Sequence, residues 1–156
     1  MDSELTLDAV DRRILAALQL QGRITYDELA AQVQLSASAV LRRVRRLEES
    51  GVIAGYAAIV PPAKLGLGLS AYVEVQLQQP GDGLAGQFRT AVQDWSEVTE
   101  CVCLSTGMHY LLHVVVADMA HYGRFMVDTL LPHPGIRDCK TSFVLSQVKR
   151  QRAVPI

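Results

Sequence analysis

Apolar residues recur along the first part of the chain with a helical period. Val10, Ile14, Leu15 and Leu18 form one stripe over Leu7 to Leu20, with Asp8 at the capping position and Gly22 as a stop. Thr25 followed three residues later by Glu28 is a capping box, and it predicts a second helix over about Tyr26 to Val33. Leu29, Ala30 and Val33 are its inward stripe. Gln34-Leu35-Ser36 leaves room only for a tight turn, with Leu35 at the elbow and Ser36 capping a third helix over about Ala37 to Ser50. Val40, Val44 and Leu47 face inward on that helix, and Gly51 ends it. Val52 to Tyr56 and Ala57 to Val60 then read as a two-stranded wing. Residues 1–60 are therefore expected to form a winged helix-turn-helix.

Pro61-Pro62 with Gly66 and Gly68 marks residues 61–68 as a hinge, after which the period changes from helical to alternating. Leu69 to Gln78 is a strand with Ala71, Val73, Val75 and Leu77 on one side. A Pro-Gly turn leads to a helix over Leu84 to Asp94, with Leu84, Phe88, Ala91, Val92 and Trp95 inward. Strands follow over Val98 to Ser105 and Tyr110 to Ala117. A helix capped by Asp118 runs through Leu131, and a last strand spans Ile136 to Leu145. The order βαββαβ predicts an α+β, ferredoxin-like sandwich over residues 69–156: four antiparallel strands with both helices on one face. The other face has no helix to cover it. Tyr72 and apolar residues of both parities in Leu111 to Val116 lead us to expect an apolar face that dimerises sheet on sheet.

A chain of 156 residues with 49% hydrophobic content has enough apolar material for one core or two small ones. The net charge of −1 is uninformative until it is mapped. Within residues 1–60 the basic residues are Arg12, Arg13, Arg23, Arg42, Arg43, Arg45 and Arg46, so four of seven lie on the third helix. A run of arginines on an isolated helix is ordinarily a solvated face. Here the run falls on the helix that a helix-turn-helix offers to DNA. Ser36, Ser38 and Ala39 make its first turn small enough to approach a groove closely. Ser38 and Arg42 are expected at base edges, and Arg43, Arg45 and Arg46 at phosphates or the rim. The partner implied is double-stranded DNA.

There is no basic and apolar leader pattern and no run of about 18 apolar residues, so the expectation is a cytoplasmic protein with no membrane partner. Three cysteines outside a secretory context argue against a disulfide framework and read as small buried hydrophobes. Cys101 and Cys103 share a strand face, and Cys139 lies in a strand that the sequence allows to be adjacent. A metal- or redox-sensing regulator using these three is the alternative, and an architectural DNA-binding protein without effector is another. No metal site is assigned. His109, His113, His121 and His133 are dispersed, and no nucleophile triad, phosphate-cradling glycine loop or HExxH is present, so no enzyme is expected.

The stretches LDAVDRRILAALQLQGRITYDELAAQVQLSASAVLRRVRRLEESGVIAGYAAIV, VQDWSEVTECVCLSTGMHYLLHVVVADM and DTLLPHPGIRDCKTSFVLSQVK resemble, in order and without insertion, the Lrp/AsnC family of feast/famine transcriptional regulators. The resemblance implies a homodimer that assembles further, commonly to octamers, with no cofactor but with an amino acid or similar small-molecule effector in the C-terminal domain. The effector would lie where dimers meet, near the loop between the second and third strands. Transferred to this chain, the effector-binding set is Cys103, Thr106, Gly107, Met108, His109, Met119, Ser142 and Val144. Family members usually carry Gly-x-x-Asp-Tyr in that loop. Here Tyr110 matches, Thr106 stands at the glycine and His109 at the aspartate. An aspartate offsets the charge of an α-ammonium group, whereas imidazole supplies no negative charge at any pH. The C-terminal residues Val148 to Ile156 read as a solvated tail.

Overall fold

The structure is a computed structural model that describes residues 6–78, 83–105, 109–149 and 153–156. It divides into two compact units, residues 1–59 with 148–156 and residues 60–147.

In the first unit, α1 (Ala9–Leu20), α2 (Tyr26–Val33) and α3 (Ala37–Glu49) follow one another across short turns. Each begins on a side-chain cap. Asp8 accepts from the N–H groups of Val10 and Asp11 while the Asp11 carboxylate accepts from the Asp8 N–H, Thr25 and Glu28 close the expected capping box, and Ser36 accepts from Ala39. Gln34 takes the left-handed conformation at φ 58°, which ends α2 and turns the chain within two residues into α3. Ile14, Leu15, Leu29, Ala30, Val33, Val40, Val44 and Leu47 close over one another as the core. Burying each of the larger aliphatic side chains contributes about 1.5–3 kcal/mol. These are the stripes that the periodicity predicts.

The wing differs from expectation. Residues 52–60 contain no strand and no ladder, and the chain leaves α3 through Gly51 at φ 74°. Tyr56, at the point where a ribbon would reverse, instead donates its hydroxyl hydrogen to Glu48 Oε1 at 2.9 Å. With small residues on either side and no third strand, a two-stranded ribbon has too little to bury. The described residues of the C-terminal segment are mostly exposed, as a solvated tail predicts, with one anchor on α1. The Val154 N–H donates to Gln19 Oε1 at 2.6 Å and its carbonyl accepts from Gln19 Nε2 at 3.2 Å, against α1.

The second unit opens with a short 3-10 turn, Pro62–Leu65. It continues as β1 (Leu69–Leu77), α4 (Leu84–Ala91, ending in a 3-10 turn to Asp94), β2 (Val98–Cys103), β3 (His109–Val116), α5 (Met119–Arg124) and β4 (Ile136–Phe143). The expected helix through Leu131 changes at Phe125 to a π turn that runs to Leu130. The strand order is β2-β3-β1-β4 and every pairing is antiparallel. Ala71, Val73, Val75 and Leu77 of β1, and Tyr110, Leu112, Val114 and Val116 of β3, pack with Phe88, Val92, Tyr122, Phe125 and Leu130 of the helices. This is the ferredoxin-like plan with both helices on one face.

The open face is more mixed than its apolar parity suggests. Register sets Glu74 between Leu111 and Lys140, and Tyr72 between His113 and Ser142, with Glu100 beyond His113. Val102, Leu111 and Tyr72 supply apolar area among these charges.

Candidate nucleic-acid interface and effector region

Three parallel rows run along α3, each at i, i+4, i+7 spacing. Val40, Val44 and Leu47 are fully buried. Ser38, Arg42 and Arg45 form the outward row, all exposed. Ala39, Arg43 and Arg46 form the row between them and turn toward the start of α1. There Arg43 Nη1 donates to Asp8 Oδ2 and Asp11 Oδ1, both at 2.7 Å, and Arg46 Nη2 donates to Asp11 Oδ2 at 2.5 Å. Asp11 is fully buried, so both of its carboxylate oxygens are occupied by arginines. Hydrogen bonding from the Asp11 backbone, and then from Arg43, lowers the Asp8 carboxyl from 3.8 to about 2. Bonds to Asp8 and Asp11 raise the Arg43 guanidinium still further.

Among the described residues no ion pair involves Arg42 or Arg45. The four arginines read as one basic face are thus two kinds: Arg42 and Arg45 stand in solvent, whereas Arg43 and Arg46 are held by acids. Leu35, Ala39, Arg42, Arg43 and Arg46 line an open groove where the small Ala39 side chain leaves room. Ser36 is occupied as the α3 cap, with its hydroxyl 3.2 Å from that of Ser38. Sequence reasoning recognised Asp8 as a cap but missed the role of Asp8 and Asp11 toward α3. The signal available was the spacing of two acids at the start of α1, which also makes a capping box.

In the second unit the effector residues fall into two groups. His109 opens β3 and Cys103 ends β2, one residue pair apart in the ladder. Ser142 pairs with Tyr72, and the Val144 N–H donates to the Ser70 carbonyl at 2.9 Å, toward the other end of β1. Met119, exposed, begins α5. Because Gln76 pairs with His109 and Tyr72 with Ser142, the two groups lie four to six residues apart along β1, about 13–20 Å. Thr106, Gly107 and Met108 lie outside the described residues. Tyr110 is buried against Phe88, ring centroids 4.9 Å apart, and is a core residue. His109 Nδ1 lies 3.2 Å from Glu74 Oε1 on the neighbouring strand, a carboxylate that the sequence reading did not single out.

The cysteines are not all buried. Cys101 and Cys139 are half-buried against the core, whereas Cys103 is exposed. The adjacency that the sequence allows between the strands of Cys101 and Cys139 is ruled out by the strand order: β2 and β4 are opposite edges with β3 and β1 between them, about 14 Å apart. Among the described residues no three His, Cys, Asp or Glu side chains converge as metal ligands, and no helix is long and apolar enough to cross a membrane.

A trihelical unit with a capped, arginine-rich third helix, followed by a βαββαβ unit, defines a helix-turn-helix DNA-binding regulator with an appended sensory domain. Residues 7–54 match the winged helix-turn-helix DNA-binding family and residues 70–154 the Lrp/AsnC ligand binding domain. The chain is 41% identical over 150 residues to the leucine-responsive regulatory protein of Escherichia coli K12, covering 96% of this chain and 92% of that protein. Its fold is similar to a transcriptional regulator of Neisseria meningitidis solved in complex with L-Met. That likeness has a TM-score of 0.92 at 39% identity and covers 96% of this chain and 97% of the other. An AsnC family transcriptional regulator of Agrobacterium tumefaciens gives a TM-score of 0.88 at 31% identity, covering 96% and 97%. The chain belongs to the Lrp/AsnC family of transcriptional regulators.

Proposed function

We propose that this chain is a cytoplasmic, non-enzymatic regulator that reads DNA with α3 and binds an amino acid or closely related molecule through its second unit. The observation that carries the DNA reading is the exposed row Ser38, Arg42 and Arg45. Ser38 and Arg42 address base edges, with Ala39 allowing close approach. Arg45 takes phosphates, and Arg43 and Arg46 meet the backbone at the groove rim, with Ser36 holding the helix start. Two copies of α3 in a homodimer would enter major grooves on one DNA face about 34–36 Å apart, or a multiple of that, on a pseudopalindromic operator.

The effector reading rests on the matched ligand-binding domain and on the L-Met found with the Neisseria meningitidis relative. Cys103 and His109, on either side of Thr106, Gly107 and Met108 in the sequence, belong to one group, and Met119, Ser142 and Val144 to the other. The roughly 13–20 Å between the two groups along β1 is long for a single amino acid to span. The two groups therefore act together when contributed by different copies, which links effector binding to assembly beyond the dimer, up to an octamer.

The test uses an operator selected from random duplexes with the full-length protein. Arg42→Ala is expected to weaken operator binding about tenfold or more, with a much smaller change on an unrelated duplex. Equal losses on both duplexes would remove the base-reading role. Sedimentation velocity with each amino acid in turn tests the coupled assembly, and one fixed size throughout would favour an architectural role without effector.

A further inference from the structure

Arg43 and Arg46 lie on the recognition helix, yet neither points freely at a partner. Arg43 places one nitrogen between two carboxylates, and Arg46 gives one nitrogen to a fully buried one. We propose that Asp8 and Asp11 are positioning residues for DNA: they hold Arg43 and Arg46 as a preset cradle for one backbone phosphate, while Arg42 and Arg45 supply the net charge. This rests on the reading of α3 as the DNA-contacting helix.

The argument begins with donor count. A guanidinium carries five N–H donors in a rigid fork. Arg43 uses only Nη1 on the two acids and Arg46 only Nη2, so each retains Nε and its other terminal nitrogen. Both side chains line the open groove with Leu35, Ala39 and Arg42, and no carboxylate is among the lining residues. Two arginines held by acids beside a groove also lined by Ala39 suit a phosphate oxyanion. The acids confer rigidity: an arginine already fixed by a buried carboxylate loses little rotamer freedom when a phosphate arrives. They also cancel charge. Two aspartates against two arginines leave the cluster formally neutral, so it releases few counterions on binding DNA.

These two effects have opposite signs on two measurable quantities. In Asp8→Asn the side-chain oxygen still caps α1, whereas the atom facing Arg43 becomes an amide NH2, so the helix start is kept and the ion pair is lost. For the full-length protein, binding to the selected operator and to an unrelated duplex is measured over a range of salt concentrations. Relative to wild type, Asp8→Asn is expected to bind the operator about five- to tenfold more weakly at about 0.15 M salt and the unrelated duplex equally or more tightly. Its salt slope should steepen by about one unit, as one more unneutralised cation meets the phosphates. Asp11→Asn, where it folds, is expected to do the same more strongly.

Tighter binding to both duplexes would overturn the proposal, because the acids would then only compete with DNA for the arginines. Unchanged affinities and slope with a lowered melting temperature would also overturn it, leaving Asp8 and Asp11 as structural residues. A wild-type protein with no preference for any operator would instead defeat the underlying reading of α3, before any variant is made.

Discussion

Glu74 and His109 meet across the open face of the sheet, with Glu74 Oε1 3.2 Å from His109 Nδ1. His109 stands where the family usually has aspartate, so the chain lacks that carboxylate at that position. Glu74, two residues along β1 from Gln76, which pairs with His109, brings a carboxylate to the same corner from the neighbouring strand. Lys140, paired with Glu74 on the other side, places a cation within the same patch.

If this corner receives an α-ammonium group, the charge that balances it belongs to Glu74. Calorimetry with L-methionine and L-leucine is expected to show a loss of about tenfold or more for Glu74→Gln, since one charge-assisted hydrogen bond is worth roughly 1.5–3 kcal/mol. His109→Asp in the same background should recover part of the loss by restoring a carboxylate nearby. Unaltered affinity in Glu74→Gln would assign the ammonium to another group.

The start of α1 carries an acid-sensitive lock. Bonds from the Asp11 backbone, and then from Arg43, depress the Asp8 carboxyl from 3.8 to about 2, and bonds from the backbone and side chain of Thr25 lower Glu28. A folded-state value below the unfolded one means that the stabilisation is complete above about pH 4 and disappears as pH falls through about 2. Hydrogen exchange at the amides of Val10 and Asp11 should therefore accelerate over that window relative to buried amides of β3. In Asp8→Asn the acceleration should be flatter. Identical pH profiles for the two proteins would show that Asp8 ionisation does not hold the helix start.

Much of this architecture was legible because it is local. Asp8, Thr25 with Glu28, and Ser36 each announce a helix start by a side chain that bonds within three residues. The alternation Ala71, Val73, Val75, Leu77 marks a strand half-buried by helices wherever its partners lie. What escaped was non-local. A helical wheel gives the direction in which Arg43 and Arg46 point, but not that Asp8 and Asp11 stand there, some thirty-odd residues earlier in the chain. Periodicity likewise marks β2 and β4 as strands without saying that they are opposite edges. Residues 52–60 carry no ladder of their own because a hairpin needs a partner strand, and Tyr56 bonds to Glu48 instead.

The aromatic centre of the second unit is its most sensitive packing point. Phe88, fully buried, meets Tyr110, His133 and Trp95 with ring centroids 4.9, 5.5 and 5.7 Å away. Phe88→Ala is expected to cost about 3–5 kcal/mol in urea unfolding followed by Trp95 fluorescence, and Phe88→Leu clearly less. A small loss in Phe88→Ala would mean that the site collapses onto the void.

The cysteines separate the main reading from the metal- or redox-sensing alternative. Thiolate is the form that alkylates and ligates metals. Burial, and then Asp138, pushes the Cys139 thiol up to about 11, so at pH 8 roughly one molecule in a thousand carries its thiolate. Cys101 is raised by burial and then by Cys103, whereas Cys103 itself is exposed at the end of its edge strand. Iodoacetamide at pH 8, followed by mass spectrometry of peptides, should label Cys103 first in the folded protein and Cys139 at a comparable rate only after unfolding. Zinc holds sulfur at about 2.3 Å, so one ion within a chain cannot join thiols on sheet edges about 14 Å apart. Rapid labelling of folded Cys139, or stoichiometric metal in protein purified without chelators, would mean that the thiols meet in an arrangement the single chain does not contain. A sensor built between copies would then replace the structural role assigned to these residues.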